Sequence, residues 1–81
     1  MREVITERIV SLLGNYCIGS NRRRPIQTFL ANKLYGSDCS TKAMRRQRDE
    51  IDLDVFDWGL LSEADLVLVF EVVVRQTYIQ M

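Results

Sequence analysis

From Leu66 to Val74 the chain reads LVLVFEVVV, and Glu71 alone interrupts it. Whatever fold the protein adopts must bury most of that run. Such a segment is either a buried strand or a helix that is apolar in nearly every direction, and periodicity alone does not separate the two. Val67, Val69, Phe70, Val72, Val73, Val74, Thr77, Tyr78 and Ile79 all favour strand. Against them stand a length beyond most strands and the lack of an internal turn. Ser62, Glu63, Ala64 and Asp65 also match the Ser/Thr-x-x-Asp/Glu capping pattern just before the run. The cap and the length predict a helix from Glu63 to about Tyr78, with Glu71 and Arg75 one turn apart and able to pair. A helix so apolar must be central to the fold or shared with a second copy, which makes Leu66, Val67, Leu68, Val69, Phe70, Val72, Val73 and Val74 the expected surface of a homodimer.

The remaining pattern is helical as well. Val4, Ile5, Ile9, Leu12 and Leu13 recur at helical spacing opposite Arg2, Glu3, Glu7 and Arg8, so an amphipathic helix is expected over residues 2–13, stopped by Gly14. A connector from Asn15 to Arg24 leads to Pro25, which is suited to a first helical position. Ile26, Phe29, Leu30 and Leu34 then form one stripe over residues 25–35, closed by Gly36. A third helix is expected from about Thr41 to Ile51, capped by Asp38 or Ser40. Ala43, Met44, Gln47 and Ile51 would face inward and Lys42, Arg45, Arg46 and Arg48 outward. Residues 53–61, with Phe56, Trp58 and Gly59, read as an irregular or single-turn connector whose aromatics plug the core. The fold class is therefore all-α, a bundle of about four helices. A winged-helix-like α+β fold is the alternative if residues 66–79 are strand.

At 81 residues the chain has room for one core, so residues 1–81 are read as a single small domain. The hydrophobic share of 47% with one Pro favours folding over disorder. No apolar stretch reaches the roughly 20 residues needed to span a bilayer. Glu3 and Glu7 also give the first turns no signal-peptide profile. These features predict a soluble cytoplasmic protein with no membrane partner, in which Cys17 and Cys39 are buried, reduced thiols.

The chemistry available is narrow. There is no His, neither cysteine sits in a Cys-x-x-Cys pair, and the four glycines are scattered, so neither a zinc framework nor a phosphate loop is expected. The usual general bases and activated nucleophiles are missing, and the expectation is a protein that is not an enzyme and carries no metal or cofactor. The carboxylates Asp49, Glu50, Asp52, Asp54 and Asp57 invite comparison with a calcium-binding EF-hand loop. Asp52, Asp54 and Glu63 fall at loop positions one, three and twelve, yet Phe56 occupies the fifth position and Asp57 replaces the turn glycine. A solvated acidic connector pairing with nearby arginines is the better account.

Charge is the informative feature. Residues 21–48 carry eight bases (Arg22, Arg23, Arg24, Lys33, Lys42, Arg45, Arg46 and Arg48) against Asp38, and residues 49–81 carry eight acids against Arg75. An asymmetry of that size points to a polyanionic partner unless intramolecular pairing absorbs it. Within the basic half, PIQTFLANKLYGSDCSTKAMRRQRDEI sets a short apolar helix, a Gly-containing turn and a basic helix in order. This central pair resembles a helix-turn-helix unit, with a connector of Gly36, Ser37, Asp38, Cys39 and Ser40 that is longer than the compact form. The resemblance implies DNA binding, with Ser40, Thr41, Lys42, Arg45 and Arg46 toward the bases, Arg48 and the other flanking bases toward phosphate, and Arg22, Arg23 and Arg24 as a phosphate-contacting or minor-groove arm. The function expected is that of a small nucleic-acid-binding regulator. The alternative is a protein–protein interaction module, of the kind viruses encode as inhibitors or adaptors, in which Arg45, Arg46 and Trp58 would be interface anchors.

Overall fold

A computed structural model describes residues 1–15 and 19–78. Four α-helices run in order, α1 (Arg2–Asn15), α2 (Ser20–Tyr35), α3 (Lys42–Asp49) and α4 (Glu63–Tyr78), with one 3₁₀ turn at Trp58–Leu60 between the last two and no strand among the described residues. The all-helical reading holds. Cys17 and Ile79 lie outside the described residues.

α4 begins where the capping pattern placed it. Ser62 Oγ accepts from the Asp65 backbone N–H at 3.2 Å, and Leu66 N–H closes onto Ser62 O at 2.9 Å, so the β-branched run starts from an already nucleated turn. Leu66, Val69, Val73 and Thr77 form its buried stripe. They meet Ile9 and Leu13 of α1, Ile26, Leu30 and Ala31 of α2, and Ile51, Leu53, Trp58 and Leu61 from the segment between α3 and α4, in one core. Helices α1 and α2 and the folded segment between α3 and α4 therefore cover one face of α4 within the chain. Val67 and Leu68 keep 41% and 43% exposure on the other. Glu71 and Arg75 do not form the one-turn ion pair available to them; each of the observed ion pairs involves other residues.

Two helix starts differ from expectation. α2 starts at Ser20, with Pro25 inside the helix and not at its first position. Among the described side chains none caps this end: Gly19 is the N-cap residue and its carbonyl accepts from the N–H groups of Arg22 and Arg23, both at 3.0 Å. Proline removes the bond to the carbonyl four residues back, here that of Asn21, which belongs to an exposed residue and can turn to water. Tertiary anchoring compensates, because Arg22 Nη1 donates to Gln76 O at 3.2 Å and Arg23 pairs with Asp54 at 3.7 Å.

α3 is capped by Thr41, whose Oγ1 accepts from Met44 N–H at 3.1 Å, and not by Asp38 or Ser40. Asp38 Oδ1 is already occupied by Ser40 N–H at 3.0 Å, which turns the connector instead of starting the helix. The inward side of α3 differs too. Arg48, expected outside, is buried to 9% exposure with Ile51, whereas Ala43, Met44 and Gln47 are exposed. Its aliphatic stem can pack while Nε reaches Asp49 Oδ1 at 2.9 Å.

The connector between α2 and α3 folds inward. Gly36 takes φ 64° and its N–H bonds to Asn32 O at 3.0 Å, a left-handed end that a Cβ would disfavour. Cys39 also has positive φ, 59°. It is a buried free thiol, and its N–H donates to buried Ser37 Oγ at 3.1 Å.

Candidate nucleic-acid interface

The eight bases of residues 21–48 divide by what they touch. Four are engaged within the chain: Arg22 with Gln76 O, Arg23 with Asp54, Lys33 with Asp65 at 3.4 Å, and Arg48 with Asp49. Lys33 also lies 5.6 Å from the centre of the Phe29 ring, a cation–π distance. The other four, Arg24, Lys42, Arg45 and Arg46, are exposed and form no ion pair or side-chain hydrogen bond among the described residues. All four line one depression of about 510 Å3, shared with Arg48, Asp49 and Glu50.

Two elements build that depression. Arg24 is the fifth residue of α2, and α3 supplies the rest from the register set by its Thr41 cap. α2 is held against the far end of α3 by Gln27, whose Nε2 donates to Ile51 O at 2.9 Å. A smaller depression of about 240 Å3 adjoins it, lined by Arg23, Arg24, Gln27 and Asp49. Five cations thus face two carboxylates across one open surface, an arrangement with the chemistry to contact an anion at several points.

Of the nine residues expected to bind, the structure brings Arg24, Lys42, Arg45, Arg46 and Arg48 together. Arg22 and Arg23 point their guanidinium groups at other parts of the chain. Ser40 lies next to the cluster, but its backbone N–H is bound by Asp38, and Thr41 Oγ1 is engaged by Met44. Hydrogen bonds from the Ser40 side chain, and then from its backbone, hold the Asp38 carboxyl below the usual aspartate range. A fixed negative charge therefore stands at the entrance to α3. Sequence reasoning read Asp49 and Glu50 as part of the acidic connector, not of the basic site, and passed over Gln27. The first two were legible, since they lie four residues after Arg45 and Arg46 and share their face of the helix. Gln27 carried no local signal.

The acidic connector is occupied with its own turns. Asp52 Oδ1 accepts from Asp54 N–H and Asp57 Oδ1 from Gly59 N–H, each at 3.0 Å. No group of three or more metal-ligating side chains gathers among the described residues. Trp58 is buried against Phe56, edge to face with centroids 4.7 Å apart. No helix is long and apolar enough to cross a membrane among the described residues. No protein-family model, curated protein or solved structure matches the chain.

Proposed function

We propose that the protein is a small nucleic-acid-binding regulator that holds its ligand in the cleft between α2 and α3. The observation that supports this reading is the division of the basic run: within residues 21–48, each cation with no ion pair or side-chain hydrogen bond among the described residues lines the same depression. Arginines that serve only to solvate a surface have no reason to converge, because like charges brought together repel. A polyanion offers the compensation that Asp49 and Glu50 supply only in part.

The experiment is fluorescence anisotropy with labelled duplex DNA at low salt. Replacing Arg45 and Arg46 together with Ala is expected to weaken binding several-fold or more, while Arg75→Ala, on exposed α4 surface, leaves it unchanged. Absence of binding by the wild-type protein, or a double variant that binds as well as wild type, overturns the reading. An acidic protein surface would then be the partner to test against the same arginines.

A further inference from the structure

Whether such a cleft reads bases or only follows the backbone is decided by what stands at the reading positions. In a helix-turn-helix complex the first turns of the second helix present side chains to base edges. Here Thr41 Oγ1 is committed to the α3 cap and the Ser40 backbone N–H to the turn with Asp38, while Ser40 Oγ donates to Met44 Sδ at 4.0 Å. Asp38 leads the helix as a carboxylate, and Asp49 and Glu50 flank the other end of its exposed face. Carboxylates at both ends of α3 oppose its deep insertion between two phosphate strands. Arg48, the remaining α3 base, is turned inward.

Capture of single-stranded bases needs an aromatic platform, and none of the residues lining the cleft is aromatic. Trp58 lies in the core. Exposed Tyr35 ends α2 eleven residues after Arg24, about 16 Å along the helix axis. What remains are four unpaired cations on an open surface, which suits a dense, fixed row of phosphates.

We infer that the cleft holds the phosphodiester backbone of a nucleic-acid duplex through Arg24, Lys42, Arg45 and Arg46, without reading its sequence. This rests on the nucleic-acid reading of the cleft. Four phosphate contacts give a decline of log affinity against log salt with a slope of about 3 to 4, or roughly a hundredfold loss between about 50 and 200 mM salt.

The test measures anisotropy of the full chain with five probes: AT-rich, GC-rich and mixed-sequence DNA duplexes, an RNA duplex, and a single strand of the mixed sequence, each across a salt series. Expected are affinities for the three DNA duplexes within about threefold of one another, a weaker single strand, and a slope of about 3 to 4 that falls by about one in Arg24→Ala or Arg46→Ala. The RNA arm shows whether the backbone held is DNA alone or either duplex. Ser40→Ala, a surface change, is expected to leave every affinity unchanged, with circular dichroism confirming that each variant is folded. A tenfold preference for one DNA sequence, tighter single-strand binding, or a sequence-dependent loss in Ser40→Ala overturns the backbone-only inference and leaves the nucleic-acid reading standing. No binding to any probe at low salt overturns both.

Discussion

Val67 and Val69 are two residues apart in the same apolar run, yet the helix gives them opposite fates: Val69 is 0% exposed and Val67 is 41% exposed. In a strand, residues two apart share a face, so the pair separates the two readings of α4 by energy. Val69→Ala removes two buried carbons at about 0.8 kcal/mol each, and the cavity left behind raises the loss to about 2–3 kcal/mol. The better helix propensity of Ala returns about 0.5 kcal/mol, for a net loss near 2 kcal/mol. At Val67 the smaller burial loss and the propensity gain nearly cancel, for a change of about 0–0.5 kcal/mol. Urea unfolding followed at the helical circular-dichroism band reads the difference directly. With a slope of about 1 kcal/mol per molar for a small domain, the midpoints of the two variants should lie roughly 1.5–2 M apart. Their melting temperatures should differ by roughly 8–16 °C. Equal destabilisation by the two substitutions, or a larger loss at Val67, would refute the helical burial pattern on which the core rests.

Thr41→Ala should cost about 1 kcal/mol by freeing Met44 N–H at the start of α3, measurable by urea unfolding; no loss would mean that another group caps the helix. In a carbon-detected NMR titration, Asp38 should lose its charge at lower pH than an ordinary aspartate, and Ser40→Ala should move that titration upward. Because its folded pKa is the lower one, its contribution to stability is present above the unfolded value and is lost as pH falls through the folded value. An unchanged titration in Ser40→Ala counts against the hydrogen-bond cause. If a second copy packs on the exposed face of α4, sedimentation should give a dimer that Val67→Ser with Leu68→Ser converts to the 9.5 kDa monomer; a wild-type monomer at micromolar concentration excludes that contact.

The parts of the fold legible in the sequence were those fixed by local chemistry. The Ser62 cap, the Gly36 stop and the apolar stripes of α1 and α2 need only neighbours a few residues away, and they fell where the pattern put them, except that Val4 at the start of the α1 stripe is 50% exposed. What the pattern missed depended on distant partners. The first turn of α2 forms despite Pro25 and without a capping side chain among those described, and Arg22 and Arg23 reach 54 and 31 residues along the chain to Gln76 and Asp54. Neither tie has a periodic signature. Arg48 was misplaced for a related reason: a guanidinium on a basic helix reads as exposed until Asp49, its immediate neighbour, is seen to take its charge while the stem is buried. The candidate site was therefore legible as a charge excess, and the choice of which cations stay unpaired came only with the tertiary contacts.

That choice has a thermodynamic consequence by which the cleft can be tested without any ligand. Two like charges about 8 Å apart in water repel by about 0.5 kcal/mol, and salt weakens the repulsion. Arg24, Lys42, Arg45 and Arg46 line one surface against only Asp49 and Glu50, so the folded state holds them closer together than an expanded chain would. Replacing Arg45 and Arg46 with Gln keeps the length and polarity of the side chains and removes two of the mutually repelling charges. The double variant should then be no less stable than wild type, and more stable at low ionic strength, with the two urea midpoints converging as salt is added. Anisotropy on the same preparation should show its duplex binding reduced, so that lost affinity cannot be ascribed to lost structure. A variant less stable at every salt concentration would mean that these arginines hold the fold together, and the cleft would then be part of the protein's own electrostatic framework instead of a surface kept open for a polyanion.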